Sequence, residues 1–499
     1  MLLVIAILHF GSNSRADADL NRTVTQWYPF MEWSLTNPSF QGNPFDVEAK
    51  ATFRHPNGET RTTGLFYAGN QKWKFRFTGS LCGLWSFTTS SDDPELNGHS
   101  GEVTVVENPD AKAHGFLTHF GNKWGWQGAD VAIVPQLVMY DDLPKFAGEP
   151  DKIDRDIQIF LKDHGFNGFH VSVLARWLGF DHQSYDGINS DAPDPDSRTF
   201  EALELLITKT HQAGGMVHLW AWGDEQRHMS PVKWGINGKV DRRLQRYIAA
   251  RLGPLPGWSM GYGFDLDEWV TEQDLRSWHE YMHQNLGWAH FLGGRSGGPN
   301  HGKDHKGWQI YEGLDYAGYE HHRPTYEVYA AALDANMGKP VFSEDRFRVR
   351  QPSPYPEKDY TETLTRRGLW DSTMAGGVAN IWGNLVRADG IYENPVWITT
   401  WSRFFEHRFL KELVRANQPT DGVCLKTPDD TNYIFYKEDA ESVRLDLTLL
   451  QTTQPGMAVD ALTGREIDMG SLPPAVRVWQ APYKSDWAIA VGRFSPAAQ

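Results

Sequence analysis

Cysteine is nearly absent from this sequence: Cys82 and Cys424 are the only two among 499 residues. They cannot build a disulfide framework. Because they fall in different predicted domains, we expect two buried free thiols and no cysteine-based metal site. Long apolar runs are missing as well. The run at the amino end, Leu2–Phe10, is too short to span a bilayer, and no other stretch is long enough.

Basic residues are outnumbered by acidic ones, 48 to 63. The formal net charge is −15, which opposes general binding to nucleic acid, because a phosphate backbone requires a basic surface. No block of lysines and arginines suggests a membrane-binding patch. The opening stretch MLLVIAILHFGSNSRADA is typical of a secretory signal that is cleaved after Ala16. We therefore expect residues 1–16 to be a signal peptide and the protein to be secreted or periplasmic.

Tryptophan, in contrast, is abundant, with 21 residues. An aromatic surplus suits a protein that stacks against flat, partly apolar ligands such as sugar rings, although large aromatic cores explain it equally well. The chain is too long for one ordinary core, so two or three domains are expected.

Residues 22–108 show a period of two. In Lys72–Phe77, KWKFRF, large apolar residues alternate with basic ones, and turn sequences such as Pro56-Asn57-Gly58 separate the alternating segments. Short alternating strands bounded by turns predict an antiparallel β-sandwich. The same pattern returns in residues 420–499, where we expect a second, smaller β-sandwich.

Between these regions, residues 115–418 alternate apolar strands with helical segments. The rhythm gives about eight βα units, which predicts a (β/α)8 TIM barrel within a multidomain chain. The first strand could come from residues 128–140 or from residues 115–120. A doubly wound sheet is the alternative, but no glycine-rich phosphate loop follows an early strand.

In a TIM barrel, catalytic groups lie at the carboxyl ends of the strands. The predicted strand ends are rich in carboxylates, arginines, histidines and tryptophans: Arg176 and Trp177 after strand two, Trp222 and Arg227 after strand three, Asp265 and Glu268 after strand four, Arg295 after strand five, His321, His322 and Arg323 after strand six, Glu344, Asp345 and Arg346 after strand seven, and Trp382 after strand eight.

Two carboxylates on separate strands are the machinery for cleaving a glycosidic bond, one as acid and the other as nucleophile or base. Their pKa values must be pushed apart. Glu344 suits the nucleophile, because Arg346 could keep it ionised. Asp265 shares a pleat face with small residues, so we expect it to point into the barrel as the acid, with Glu268 as the alternative. Each carboxylate could instead cap a helix or form a structural ion pair.

The other strand-end residues, together with Tyr262, are candidate substrate contacts. The tryptophans could equally be core residues, and one of the two adjacent histidines is expected to face the substrate. The candidates are Arg176, Trp177, Trp222, Arg227, Tyr262, Arg295, His321, His322, Arg323, Arg346 and Trp382.

A metal-dependent hydrolase is the rival barrel chemistry, and it would require paired histidine ligands. We expect neither H-x-H nor H-E-x-x-H ligation of a metal, and no serine nucleophile of the G-x-S-x-G type. We therefore expect neither a metal nor a cofactor.

Several stretches are familiar. WYPFMEWSLTNPSF, which begins at Trp27, opens the first sandwich, and NYIFYKED, MAVDALTGREI and DWAIAV lie in the tail. With the three-part layout, they resemble bacterial secreted glycoside hydrolases of a clan-A-like group. That group has an N-terminal β-sandwich, an apiosidase-like (β/α)8 barrel and a C-terminal β-sandwich of a type called collagen-binding, and we attach no collagen function to that label.

By this resemblance, Glu344 in VFSED matches the strand-seven nucleophile and Asp265 in GYGFD matches the strand-four acid/base. Clan A usually has Asn-Glu at strand four, and the apiosidase-like group has Gly-Gly-Asp. This chain has Gly-Phe-Asp. Membership of the clan implies retention of anomeric configuration, with carboxyl groups about 5–5.5 Å apart.

Arginines recur at the predicted rim although the chain is acidic. Arginine forks bind carboxylates and sulfates through two hydrogen bonds, which suggests an anionic glycan, sulfated or uronic, as substrate. Neutralisation of neighbouring carboxylates is an equal alternative. The arginines are Arg176, Arg227, Arg295, Arg323, Arg346 and Arg348.

Together these features predict a retaining glycoside hydrolase that acts on a plant or algal polysaccharide or its oligosaccharides. One rival is a non-catalytic carbohydrate-binding protein on the same scaffold. The other is a polysaccharide lyase with a histidine or tyrosine base. We expect a carbohydrate partner and no nucleic-acid or membrane partner.

Overall fold

The computed structural model describes most of the chain. The described residues are 22–28, 30–110, 113–129, 131–140, 143, 149–188, 190–297, 310–321, 325–347, 361–383, 386–387, 390–391 and 395–494. The expected signal peptide, residues 1–16, lies outside them, as do His322, Arg323 and Arg348.

The first domain is a sandwich of two sheets, as its alternating sequence predicts, and its strands pair antiparallel except that β1 runs parallel to β8. The five-stranded sheet has the order β1-β8-β7-β3-β4 and the three-stranded sheet the order β2-β6-β5. The strands are β1 (Arg22–Thr25), β2 (Met31–Thr36), β3 (Ala49–Arg54), β4 (Thr60–Gly64), β5 (Phe66–Tyr67), β6 (Lys72–Phe77), β7 (Gly83–Ser91) and β8 (Ser100–Val106).

One residue of β6 departs from the alternation. Arg76 is buried, although the pattern of KWKFRF predicts a solvent-facing side chain. Its guanidinium donates to Glu32 (2.8 Å) and to Glu204 of the barrel (3.0 Å), and to the carbonyl of Arg251 (2.9 Å). A buried arginine is tolerated when its donors are paired in this way. Arg76 thus joins the sandwich to the barrel.

A small three-stranded sheet packs against the N-terminal ends of the barrel strands. It consists of β9 (Leu117–Phe120), β10 (Lys123–Trp126) and β11 (Ala132–Ile133). Trp124 is its anchor: the indole packs on Phe291, Tyr316 and Phe342 and donates to the carbonyl of Val341 (3.3 Å). Residues 115–120, one of the two candidates for the first barrel strand, therefore belong to this sheet and not to the barrel wall.

The central domain is a closed parallel barrel, and closure excludes the doubly wound alternative. Its strands are β12 (Gln136–Met139), β13 (Gly168–Ser172), β14 (Met216–Trp222), β15 (Trp258–Gly263), β16 (Phe291–Gly293), β17 (Arg295–Gly297), β18 (Ala317–Glu320), β19 (Val341–Phe347) and β20 (Ala379–Trp382). β16 pairs with β15, and β17 pairs with β18. Gly294 joins these two segments, which together form the fifth of eight strand positions.

The barrel helices are α1 (Pro150–Asp156), which continues as a π-helical turn to Asp163, α2 (Ser197–Gln212), α3 (Lys239–Leu252), α4 (Glu272–Leu286), α5 (Tyr326–Ala335), α6 (Glu362–Met374) and α7 (Pro395–Phe405). Two short strands, β21 (Val386–Arg387) and β22 (Gly390–Ile391), precede α7. Among the described helices, none combines the length and the apolar character that a bilayer crossing requires.

The last domain is a six-stranded antiparallel sheet in the order β23-β24-β25-β28-β26-β27. Its strands are β23 (Val414–Arg415), β24 (Val423–Lys426), β25 (Tyr433–Asp446), β26 (Gln454–Asp460), β27 (Glu466–Leu472) and β28 (Val476–Val491). The β25–β28 pairing is irregular after Lys437, and residues from both halves of β25 share one core. A bent sheet thereby forms both layers of the small sandwich.

The two cysteines are free, as expected, but only Cys424 is buried. Cys82 is exposed in the turn before β7. The period-two pattern of the flanking strands does not extend into this turn, so it could not predict whether Cys82 is buried.

Candidate active site

Glu344 owes its position to an irregularity in strand seven. β19 pairs with β20 in regular register up to Ser343, and pairing resumes at Arg346, so Glu344 and Asp345 lie in a bulge between two paired segments. Bulges of this kind re-aim side chains and are frequent beside active sites. The carboxyl of Glu344 lies beside Trp220 of β14 and Gly318 of β18.

The Glu344 carboxyl is completely buried. The indole N–H of Trp220 donates to its Oε2 at 2.5 Å. Its Oε1 faces Gly318 of β18, where an added Cβ would collide with that oxygen and lie 2.7 Å from the carbonyl oxygen of Gly294. A glycine is thus required at position 318 by close approach.

Burial raises the pKa of Glu344 from its usual 4.5 to about 7. The Trp220 hydrogen bond, the Arg295 charge and the Tyr316 hydroxyl oppose that rise, and the Glu320 charge adds to it. We expected Arg346 to keep Glu344 ionised. Its backbone lies in β19 but its side chain is not described, and the same holds for Asp345. The arginine that lowers the pKa of Glu344 in the described structure is Arg295.

Arg295 is the centre of the charged groups at this rim. Its guanidinium donates to Asp265 and lies 2.7 Å from the Glu320 carboxylate. It also reaches the backbone carbonyl of Glu344 (3.4 Å). The guanidinium carbon is 5.4 Å from the ring centres of Trp220 and Phe264, so the cation is surrounded by aromatic faces and carboxylates.

Asp265 follows β15 directly and adopts left-handed backbone angles, with φ of 52°. Aspartate tolerates this region better than most residues, but the conformation still costs free energy and is concentrated at functional sites. Its carboxylate is partly exposed and meets Arg295, with Arg227 4.0 Å away. Arg295 thus contacts the carboxylate of Asp265 and the backbone carbonyl of Glu344.

Two more carboxyl groups lie nearby. Glu268 is exposed in the turn after Asp265, and its pKa is raised by partial desolvation and then by Asp265 and Asp224. Glu320, which sequence reasoning missed, closes the Arg295 cluster from β18. Its signal was available: it is the last residue of the predicted strand six, in AGYE.

The predicted aromatic contacts are corrected by the structure. Trp177, Trp222, Trp382 and Tyr262 are all buried in the core between the strands and the helices. The Trp177 N–H donates to the carbonyl of Ala221 (3.0 Å), that of Trp382 to Gln136 (3.0 Å), and the Tyr262 hydroxyl to Asp241 (2.9 Å). Their polar atoms are occupied by structural partners, so their placement does not support a role in sugar binding.

Trp220 is the tryptophan that the site uses. It lies in β14 two residues after His218, and its ring packs against His170 (4.3 Å) and Phe264 (4.9 Å) inside the barrel. Glycine at position 261 leaves room for it, because a Cβ there would lie 3.2 Å from the indole. The run Met216–Trp222 contains two tryptophans, and sequence reasoning chose the wrong one.

The predicted polar contacts differ in burial and in their hydrogen-bond or ion-pair partners. Arg176 is buried and donates to the carbonyl of Phe180 (3.0 Å). Arg227 pairs with Asp224 (3.0 Å), and 59% of its side chain is exposed. His321 is half-buried directly after β18.

A pocket of about 240 Å³ opens beside this cluster. Phe264 links the two, since it lines the pocket and also contacts Trp220 and Arg295. The pocket combines apolar walls with two arginines. It is lined by Met139, Ser172, Val173, Leu174, Arg176, Gln183, Arg227, Met229 and Phe264.

Two motifs of rival hydrolases occur in the chain. Gly294–Gly298, GRSGG, has the G-x-S-x-G spacing of a nucleophile elbow, but Ser296 is buried in the middle of β17 and not on a strand-to-helix turn. His279–His283, HEYMH, has the H-E-x-x-H spacing of a zinc-binding helix. We expected no H-E-x-x-H ligation, so that expectation missed this motif, which lies in α4, outside the rim.

Comparisons with known proteins agree with the fold. The model of a domain of unknown function, DUF5060, matches residues 23–92, within the first sandwich. No curated protein matches the chain.

Solved structures are similar over most of the chain. A candidate glycoside hydrolase from Bacteroides vulgatus ATCC 8482 is 16% identical with a TM-score of 0.71, over 95% of this chain and 99% of that one. A family 5 glycoside hydrolase from the same organism is 13% identical with a TM-score of 0.55, over 78% and 96% of the two chains. A further glycoside hydrolase is 11% identical with a TM-score of 0.55. At such identities, the similarity establishes a shared fold.

The buried carboxyl of Glu344 predicts a pH-dependent stability. Below its unfolded pKa, glutamic acid is neutral in both states, whereas above about pH 7 folding must bury a carboxylate or retain its proton. The difference between 4.5 and about 7 corresponds to up to about 3 kcal/mol of lost stability at alkaline pH. The variant Glu344→Gln lacks this loss, so its melting temperature relative to the native protein should increase between pH 5 and pH 8.

The matched control is Glu201→Gln, at an exposed carboxyl on α2. Its melting temperature should differ from that of the native protein by the same small amount at both pH values. A Glu344→Gln difference that stays constant or shrinks with rising pH would contradict the raised pKa.

Proposed function

We propose that this protein is a retaining glycoside hydrolase that acts on a plant or algal polysaccharide or its oligosaccharides. One observation carries the proposal: the guanidinium of Arg295 contacts the carboxylate of Asp265 at the end of strand four and the backbone carbonyl of Glu344 in strand seven, and its charge lowers the pKa of the Glu344 carboxyl. Two carboxyl groups on separate strand ends are what glycosidic cleavage requires. The fold shared with solved structures described as glycoside hydrolases supports the assignment.

In this mechanism Glu344 attacks the anomeric carbon and Asp265 protonates the leaving oxygen, then deprotonates the water that releases the sugar. Burial opposes the charge that Glu344 must carry as the nucleophile, and Asp265 forms an ion pair with Arg295. The reactive state therefore requires the proton on Asp265 and the charge on Glu344. Glu320 can hold Arg295 when Asp265 is neutral, since it already lies 2.7 Å from that guanidinium.

The rivals are less well supported by the described residues. A lyase with a tyrosine base needs that residue to lose its proton near neutral pH, but burial raises the pKa of Tyr316 well above 10. A binding protein gains nothing from a wholly buried carboxyl group, which lowers stability at alkaline pH. An unsaturated uronide product, seen by its ultraviolet absorbance, would support the lyase.

Removal of each proposed catalytic carboxyl gives a distinct result. On activated aryl glycosides, Glu344→Gly should lower kcat by at least about a thousandfold. Azide should restore turnover and yield a glycosyl azide of inverted configuration. Asp265→Gly should lose about 10²–10⁴-fold, and azide should yield a glycosyl azide of retained configuration.

The exposed Glu268 supplies the control, because Glu268→Gln should keep most of the activity if Asp265 is the acid. A large loss in Glu268→Gln with a mild one in Asp265→Gly would transfer the acid role to Glu268. Unchanged hydrolysis in Glu344→Gly would end the proposal.

The raised pKa of Glu344 predicts the pH dependence. A nucleophile must be ionised, so kcat/KM should rise with pH through about pH 7. The variant Trp220→Phe removes the N–H donor that stabilises the carboxylate, and the rising limb should move by about one unit to higher pH. Trp222→Phe, which alters a core indole, should leave the limb in place. A limb that falls through pH 7 would instead assign the acid role to Glu344.

We further propose that the substrate is anionic, sulfated or uronic. The arginines at the rim do not support this equally: Arg295 is occupied by carboxylates, whereas Arg227 is more than half exposed at the pocket wall. An anionic group in the pocket would meet Arg227 and, deeper, Arg176. The proposal depends on Arg227 and not on a general basic surface.

A panel of neutral, sulfated and uronic glycans tests this. Arg227→Gln should lower kcat/KM by about ten- to a hundredfold on the charged substrate, the value of a lost charge-assisted hydrogen bond, and much less on its uncharged counterpart. Arg198→Gln, at another exposed arginine, is the control. Equal activity of the native enzyme on charged and uncharged forms would contradict an anionic substrate.

A further inference from the structure

A cluster of three possible metal ligands lies outside the rim. His279 and His283 are one helical turn apart on α4, so both imidazoles project from the same side of the helix. Asp315 lies two residues before β18 and faces them. The Nε2 atoms of both histidines approach one oxygen, Asp315 Oδ2, at 3.2 Å for His279 and 2.7 Å for His283.

We propose that His279, His283 and Asp315 bind one divalent cation of the zinc type. The three ligand atoms lie within 4.8 Å of one another. A tetrahedral ion with bonds of about 2.0–2.1 Å requires only slightly larger separations than those of the two histidine–aspartate contacts. Two imidazoles and one carboxylate are a donor set that zinc uses, with a water as the fourth ligand.

Hydrogen bonding alone satisfies the cluster poorly. Asp315 Oδ2 already accepts the backbone N–H of Leu292 (2.9 Å) and faces His283 Nε2. His279 Nε2 is enclosed, and although it is 3.2 Å from that oxygen it makes no aligned hydrogen bond. A cation would use the lone pair of this nitrogen, which the metal-free arrangement leaves without an aligned partner.

The surroundings hold the ligands in place while leaving a route for the ion. The Leu292 N–H orients the Asp315 carboxylate, and Lys339 Nζ fixes the segment beside it through the carbonyl of Leu314 (2.9 Å). Solvent reaches 13% of the His279 side chain, 33% of that of His283 and 26% of that of Asp315. The site is thus ordered but accessible.

The position of the site indicates a stabilising role. Asp315 precedes the first residue of β18, so it lies at the end of the barrel opposite the rim that carries Glu344. Features at that end of a TIM barrel serve stability more than chemistry. An ion there would tie α4 to the start of strand six.

Glu280 completes the H-E-x-x-H spacing but is exposed on α4. In zinc peptidases the glutamate of this motif is a base and not a ligand. Glu280→Gln is therefore a matched control: it changes the same helical turn and should keep the full affinity for the ion.

The test uses the full chain without an affinity tag, stripped of metal by a chelator. Calorimetry with Zn²⁺ should show one site per chain, and bound ion should raise the melting temperature. Bound Co²⁺ should give the visible absorption of tetrahedral coordination. His279→Gln and His283→Gln should each weaken Zn²⁺ binding by at least about tenfold, whereas Glu280→Gln and Glu344→Gln should bind as the native protein does.

Asp315→Asn tests the third ligand and should weaken binding similarly. If that variant fails to fold, the two histidine variants still decide the outcome. Absence of binding to the native chain at a large excess of Zn²⁺ would overturn the proposal. So would undiminished binding by the double variant His279→Gln/His283→Gln, which would place the ion elsewhere. Neither result depends on hydrolytic activity.

Discussion

A single guanidinium keeps carboxyl groups together that would otherwise repel one another. Arg295 emerges just after the break in strand five and meets Asp265 on one side and Glu320 on the other, while its second nitrogen reaches the backbone of the Glu344 bulge. Without this cation, three acidic strand ends could not converge in a partly dry rim, because like charges at such distances oppose folding. The position of Arg295 therefore determines where the acidic strand ends can lie at the rim.

The space for the arrangement comes from small residues. Glycine at 318 lets the Glu344 carboxyl approach the neighbouring strand, and glycine at 261 admits the indole of Trp220. The indole then supplies the N–H donor that burial of the carboxyl requires. The bulge in β19 completes the geometry, since a regular strand would not turn this side chain in the same way. Burial raises the pKa of Glu344, and the Trp220 hydrogen bond and the Arg295 charge limit that rise.

The same principle operates at both domain junctions. Arg76 leaves the alternating pattern of its strand to reach Glu204 of the barrel, and the side chains of Arg366 and Arg367 of α6 meet Asp486 of the last domain. Paired charges in partly buried positions fix the relative placement of surfaces, because an unpaired partner would be costly. The flanking sandwiches are thereby held against the barrel at specific places.

Much of this could be predicted from the chain alone. Period-two alternation and the βα rhythm indicated the fold, and the rule that parallel strands end at one rim was enough to single out Glu344 and Asp265. These are local patterns, and residues close in sequence determine them. The choice among Trp177, Trp220, Trp222 and Trp382 could not be made in this way, because strand pleat and register decide which indole enters the barrel. The pairing of Glu320 with Arg295, the bulge at Glu344 and the meeting of His279 with Asp315 join residues distant in sequence, so only the tertiary structure could decide them.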